Sequence, residues 1–162
     1  MNKRLLKAFN DQIRNELYSA YLYLAMAAWS ETKNLGGFSR WMQVQAREET
    51  GHAMKLFGFL SARGARVQLQ AIPQPPVEFS SPQDVFAKTL EHEQKVTAML
   101  NKLSDIAGDV DDKAAEIFLQ WFITEQVEEE QSATTILETL KAIKPDSAAL
   151  IMLDRELGRR QE

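Results

Sequence analysis

Glu49 and His52, in the stretch Arg47-Glu48-Glu49-Thr50-Gly51-His52, offer a carboxylate and an imidazole three residues apart. On a helix that spacing puts both side chains on one face. The face that carries them runs Phe38, Met42, Gln45, Glu49, His52, Leu56, Phe59, so the acid and the imidazole stand on a stripe that otherwise packs inward. A Glu-x-x-His pair aimed into a helical bundle is the ligand arrangement of carboxylate-bridged dinuclear metal sites. Taken singly, such a pair is more often a hydrogen-bonded core pair than a ligand set. Its meaning depends on whether other helices bring acids to the same depth.

Three other helical stripes do so. From about Lys3 to Lys33 the inward positions read Leu6, Phe9, Ile13, Glu16, Ala20, Tyr23, Ala27, with one acid where a leucine is expected. A third stripe, Phe86, Leu90, Glu93, Thr97, Leu100, Ser104, Ala107, has the same interruption. The fourth, Ala115, Leu119, Phe122, Gln126, Glu129, Ala133, Ile136, Leu140, carries two polar residues. Glu16 lies 20 residues before Gly36, and Glu49 and His52 lie 13 and 16 after it. Glu93 lies 17 before Val110, and Gln126 and Glu129 lie 16 and 19 after it. At about 1.5 Å per residue all six fall about 20 to 30 Å from the hairpin tips, near mid-bundle.

Four glutamates buried together would be forced by desolvation and mutual repulsion to protonate unless cations accompany them. Hard oxygen donors with one imidazole nitrogen suit iron, manganese or zinc, and so few histidines favour a redox-active pair of irons. Glu49, on the ligand-rich helix, is the natural bridge between two metals. Glu125 and Glu128 share a neighbouring face with Glu48 in the same zone and form a candidate further site.

The elements that must position these residues follow from the punctuation of the chain. Asn34-Leu35-Gly36-Gly37 ends the first helix, with glycines expected to supply the positive φ, and the second runs to about Arg63-Gly64. So short a turn makes the two helices antiparallel neighbours. From Ala65 to Pro82 the chain loses helical rhythm and carries Pro73, Pro75 and Pro76. Roughly 17 residues at about 3.3 Å each reach about 55 Å, whereas a helix of about 28 residues is about 42 Å long. The segment can therefore run the length of the bundle, which makes helices two and three parallel. Ser81-Pro82 opens the third helix, and Lys144-Pro145-Asp146 ends the fourth. Asp146 or Ser147 is expected to cap a short final helix bearing Leu150, Leu153 and Leu157, whose apolar surface is expected to pack against other subunits.

The chain has 162 residues, 44% of them hydrophobic, which suits one domain over residues 1–162 with its own core. Its prolines fall outside the periodic segments and no strand pattern appears, so the fold class is all-α. A net charge of −4 without a basic stripe argues against nucleic acid as a partner. The absence of cysteine removes disulfides, thiolate zinc sites and iron–sulfur clusters. The apolar run Ala20 to Trp29 is too short to span a bilayer and no signal peptide is evident, so a cytoplasmic location without membrane association is expected.

Plainer readings apply to several residues. His92 is adjacent to Glu93 but off the stripe, which points to the surface rather than to a ligand. Tyr23 is equally consistent with core packing and with a partnership to the site. Trp121, Met26, Met42, Met54 and Met99 read as packing, and Gly51, which costs about 1 kcal/mol relative to alanine mid-helix, has no account beyond a tight packing contact.

With these stretches in view, the chain resembles the bacterial and archaeal non-haem ferritins along essentially its full length. The resemblance is carried by Asn15-Glu16-Leu17-Tyr18-Ser19-Ala20-Tyr21-Leu22-Tyr23, by Arg47-Glu48-Glu49-Thr50-Gly51-His52-Ala53-Met54, and by the run from Phe118 to Glu130. It implies a ferritin-like four-helix bundle with a long crossover between helices two and three and a short fifth C-terminal helix. By the same resemblance Glu16, Glu49 and His52 would hold the first iron of a ferroxidase centre, and Glu49, Glu93 and Glu129 the second, with Gln126 nearby. Glu48, Glu125, Glu128 and Glu129 match a third iron site, and Tyr23 and Trp121 match aromatic residues beside the centre. The family implies a homo-oligomeric cage of 24 subunits that admits Fe(II), oxidises it with dioxygen or hydrogen peroxide, and stores the ferric mineral inside. The fifth helix would line four-fold channels. Two departures from relatives matter: Gln126-Val127-Glu128-Glu129 stands where bacterioferritins and rubrerythrins have a second Glu-x-x-His, and Thr50 stands where a haem methionine would be, so no haem is expected. The rival readings are a dinuclear peroxidase or oxidase that stores nothing, and a non-catalytic structural bundle.

Overall fold

A computed structural model describes residues 1–145 and 147–161. Asp146, one of the two expected caps of the last helix, lies outside the described residues. The elements are α1 (Lys3–Thr32), α2 (Gly36–Ala62), α3 (Pro82–Asp109), α4 (Lys113–Ala142) and α5 (Ala148–Leu157), with no strand among the described residues. The fold is all-α, as the periodicity requires.

Each helix start has a local cause. Asn2 Oδ1 accepts from Arg4 N and Leu5 N, capping α1. Ser81 Oγ accepts from Asp84 N at 3.1 Å while Asp84 Oδ2 accepts from Ser80 N at 2.9 Å, and Pro82 fills the first turn of α3. Asp112 caps α4 by accepting from Ala115 N. Ser147 occupies the N-cap position of α5, with no capping bond from its side chain.

The α1–α2 turn corrects one sequence expectation. Asn34, not a glycine, takes the left-handed conformation at φ 55°, and Gly36 and Gly37 already belong to the first turn of α2. Asparagine tolerates that region because its short polar side chain bonds locally. Gly37 is required for a different reason: a Cβ there would lie 1.6 Å from the Asp154 carbonyl oxygen, so α5 packs directly on the α2 backbone. Asp154 Oδ1 accepts from Phe38 N at 3.0 Å in the same contact. Gly51 is also corrected, because it faces open space with no packing contact at all.

Ion pairs fix the helix directions. Arg4 at the start of α1 meets Asp109 at the end of α3, and Arg63 after α2 meets Asp112 before α4. The ends of α2 and α3 thus lie at one pole of the bundle, so these helices run parallel and residues 63–81 cross its length. Along the way Gln68 N donates to Asn10 Oδ1, Gln70 Nε2 donates to Asp11 Oδ1, and Phe79 packs edge-on against Trp29 at the far end of α1.

The apolar interior falls into two clusters. One gathers Leu5, Phe9, Ile13, Leu56, Leu60, Val96, Leu100, Leu119 and Phe122 at the pole where α2 ends. The other gathers Tyr23, Met26, Trp29, Phe38, Trp41, Met42, Phe86, Leu137, Leu140, Leu153 and Leu157 at the opposite pole. Between them lies a buried polar layer. The stripes drift slightly from a fixed heptad, so Leu5, Val96, Leu103 and Leu137 are more buried than Leu6, Thr97, Ser104 and Ile136.

Candidate metal centre

The layer between the two apolar clusters contains Glu16 of α1, Glu49 and His52 of α2, Glu93 of α3, and Gln126 and Glu129 of α4, all buried. The structure brings the six to one height, as the residue counts from the hairpin tips require.

Glu16, Glu49 and His52 can all turn a ligand atom toward one point. His52 Nδ1 lies 3.4 Å from Glu49 Oε2 and 4.0 Å from Glu16 Oε2. Glu16 Oε1 accepts from Gln12 Nε2 at 2.8 Å, but its Oε2 finds no fixed donor although it is fully buried. That exposed lone pair inside the protein is what a divalent cation would satisfy. Glu93 is held differently: Tyr23 Oη donates to Oε1, and Gln126 Nε2 donates to Oε2 at 3.1 Å. Tyr23 is therefore a partner of the site as well as a fully buried core residue. Gln45, which the sequence placed on the stripe without a role, donates from Nε2 to Glu129 Oε2 at 2.7 Å and to Glu49 Oε1 at 3.3 Å.

Electrostatics follow from this burial. Desolvation raises the pKa of Glu16 and Glu49 well above the ordinary glutamate range, and the neighbouring carboxylates, Glu49 beside Glu16 and Glu93 beside Glu49, raise them further. Glu93 is raised mainly by desolvation, opposed by the bonds from Tyr23 and Gln126. Glu129 is pushed up to about 7 by burial and by Glu93, with Gln45 opposing. Burial and the Glu93 charge also keep the Tyr23 phenol protonated. Burial thus favours the protonated acids in this layer, and a cation bound there would displace protons.

The residues of the candidate further site are not gathered as a group of four. Glu125 and Glu129 converge with His52, whereas Glu48 is ion-paired to Arg160 and Glu128 is exposed. His92 is a correction. It is buried, not at the surface, and stands between the rings of Tyr18 and Tyr23 with its Nε2 2.7 Å from Ser19 Oγ. Burial lowers its pKa to about 4, so it is neutral. Off the α3 stripe, its ring fills the gap toward α1, which periodicity along α3 alone does not reveal. Trp121 and Met54 are also more exposed than core packing implies. The Trp121 and His52 rings lie nearly perpendicular with their centroids 5.4 Å apart, and Lys55 Nζ sits 3.4 Å from the Trp121 ring centroid.

Taken together, one long crossover, a divided apolar core and a mid-bundle carboxylate layer define the class of four-helix bundles with an interior acid and imidazole cluster that could hold metal. The comparisons with known proteins narrow the class. The family model described as Ferritin-like domain matches residues 6–143. A Bacterial non-heme ferritin of Staphylococcus aureus (strain USA300) is 39% identical over 160 residues, spanning 99% of this chain and 96% of the relative. The Bacterial non-heme ferritin of Staphylococcus saprophyticus is 40% identical over the same length. Among solved structures, an open pore ferritin from the hyperthermophilic archaeon Archaeoglobus fulgidus superposes with a TM-score of 0.98 at 48% identity, covering 99% of both chains. The chain belongs to the ferritin-like family.

Proposed function

We propose that this chain is an iron-storage ferritin that oxidises Fe(II) at the mid-bundle carboxylate layer and keeps the ferric product inside a homo-oligomeric cage of 24 subunits. The observation that carries this reading is the layer itself: four buried glutamates from four helices, one of them with a carboxylate oxygen lacking any fixed donor, set between two apolar clusters. A purely structural layer gains nothing from four acids whose burial and mutual repulsion oppose their ionisation. Iron is the substrate. Glu16, Glu49 and His52 would receive one ferrous ion, and Glu49, Glu93 and Glu129 the other, with Glu49 shared. Two ferrous ions held side by side can together pass two electrons to one oxidant, dioxygen or hydrogen peroxide, which a single ion cannot.

The chain's own residues supply order and proton control. Tyr23 and Gln126 hold Glu93, Gln12 holds Glu16, and Gln45 holds Glu49 and Glu129. Fixed outer donors of this kind aim carboxylate lone pairs inward. The raised carboxyl pKa values mean that each entering cation expels protons. Glu125, beside His52 and Glu129, offers a way out toward the less buried side of α4, and Glu48 and Glu128 would extend it as a further site. A cytoplasmic location and the absence of nucleic-acid or membrane partners belong to the same reading.

Glu49→Ala is the direct test. Rapid ferrous oxidation, followed by the ferric absorbance, is expected to fall to the rate in buffer, while particle mass stays that of the parent. Undiminished oxidation rejects the assignment. A parent particle that oxidises iron but forms no mineral core favours the dinuclear oxidase over storage, and one that binds no stoichiometric iron favours a structural bundle.

A further inference from the structure

Beyond α5 the chain turns back onto the bundle. Arg160 lies outside the span that the family model matches, yet it touches three residues of α2. Its Nη1 donates to Gln45 Oε1 at 2.8 Å, its Nη2 is ion-paired with Glu48, and its guanidinium carbon sits 4.3 Å from the Trp41 ring centroid. The arginine side chain is 23% exposed, so solvent competes only partly for these contacts.

A guanidinium has donors and no acceptor. The Gln45 amide must therefore present its oxygen to Arg160, and its nitrogen is left facing the opposite way. There it meets Glu129 Oε2 and Glu49 Oε1. We propose that Arg160 is a positioning residue of the paired-metal centre, fixing the Gln45 amide so that its NH2 holds Glu49 and Glu129 in the orientation that receives the second cation. The proposal rests on the metal-centre reading above. Without Arg160 the amide oxygen loses its donor and the side chain is free to turn over. Once cation binding has ionised the layer, its oxygen would face two carboxylates, acceptor against acceptor, and Glu49 and Glu129 would swing away. Glu48 and Trp41 hold the arginine in place and do not themselves reach the cluster through it.

Outer-sphere partners of ligating groups change metal affinity by about 10- to 100-fold. The test uses Co(II), a redox-stable probe read by its visible absorption, added to the assembled full-length protein. The parent is expected to take two tight equivalents per subunit. In Arg160→Gln one of the two weakens about tenfold and its absorption band shifts, while Arg160→Lys, which keeps a donor, recovers part of the loss. Gln45→Leu weakens the same equivalent, and adding Arg160→Gln to it causes no further loss, because the arginine acts through the glutamine. Helix content and particle mass equal to the parent exclude a folding defect in Arg160→Gln. Should that variant fail to assemble, Arg160→Lys decides: an intermediate affinity supports the proposal and a parental one overturns it. An unchanged isotherm and spectrum in Arg160→Gln overturn it, as does a double variant weakened by the product of the two single effects. A parent that takes up no tight Co(II) removes the metal-centre reading and this proposal with it.

Discussion

Glu16, Glu49, Glu93 and Glu129 hold their protons past the range of an exposed glutamate because burial and mutual repulsion penalise the ionised forms. For an acid raised in the folded state, the stabilising contribution is complete below the unfolded pKa and is lost as pH rises through the folded one. For Glu129 that window runs from 4.5 to about 7. His92, lowered from 6.5 to about 4, acts in the opposite sense, but it is one group against four. The metal-free protein is therefore expected to lose thermal stability as pH rises across this window. Saturating Zn(II) should reverse the slope, since cation binding strengthens as protons leave. Melting curves at several pH values, with and without zinc, check both signs. At this scale the ligand-type residues were legible in the chain, because each is an acid or imidazole on an otherwise apolar stripe. Their holders were legible only in part: Gln126 stood on the α4 stripe and Tyr23 was an open candidate, whereas Gln12 and Gln45 carried no role. Gln45 and Gln126 look alike on paper, and His92 finds Ser19 across 73 residues of sequence, which no spacing along α3 reveals.

Two glycines of α2 show how the same substitution changes sign with its surroundings. Gly51 faces open space, so Gly51→Ala only removes the helix penalty of glycine and is expected to stabilise the protein by about 1 kcal/mol. Gly37→Ala would drive a methyl into the Asp154 carbonyl. Overpacking of this kind costs about 1–3 kcal/mol or displaces the element responsible, so α5 is expected to lift from α2. Urea unfolding gives the two stability changes, and faster tryptic cleavage at Arg155 and Arg159 in Gly37→Ala reports the undocking. Helix boundaries and the crossover were readable from glycine, proline and length. The role of Gly37 was not, because it depends on a backbone 117 residues away.

At the scale of the whole molecule, α5 divides its apolar residues. Leu153 and Leu157 enter the chain's own core, while Ile151 and Met152 are exposed. Removing everything after Lys144 would strip both sets and confuse assembly with folding. The sharper change is Ile151→Asp with Met152→Asp, which is expected to lower particle mass while leaving the helix content of each subunit unchanged. Light scattering beside circular dichroism separates the two, and an intact particle would remove the expected subunit contact. The sequence disclosed the surplus of apolar surface on this helix but not its partition, since a ten-residue helix presents too few turns for a stripe to be resolved.

The crossover also dictates the order in which the acids meet. Glu16, Glu49 and His52 belong to one hairpin and Glu93, Gln126 and Glu129 to the other, and each hairpin closes through a short turn. Local closure precedes distant docking because short loops cost less entropy and form sooner. Glu16 thus meets Glu49, and Glu93 meets Glu129, as each hairpin closes, whereas Glu49 meets Glu93 and Glu129 only when the hairpins dock, the step at which protons or cations must be captured from solvent. Refolding should accordingly slow as the buffer becomes more alkaline, and a trace of divalent ion should restore its speed.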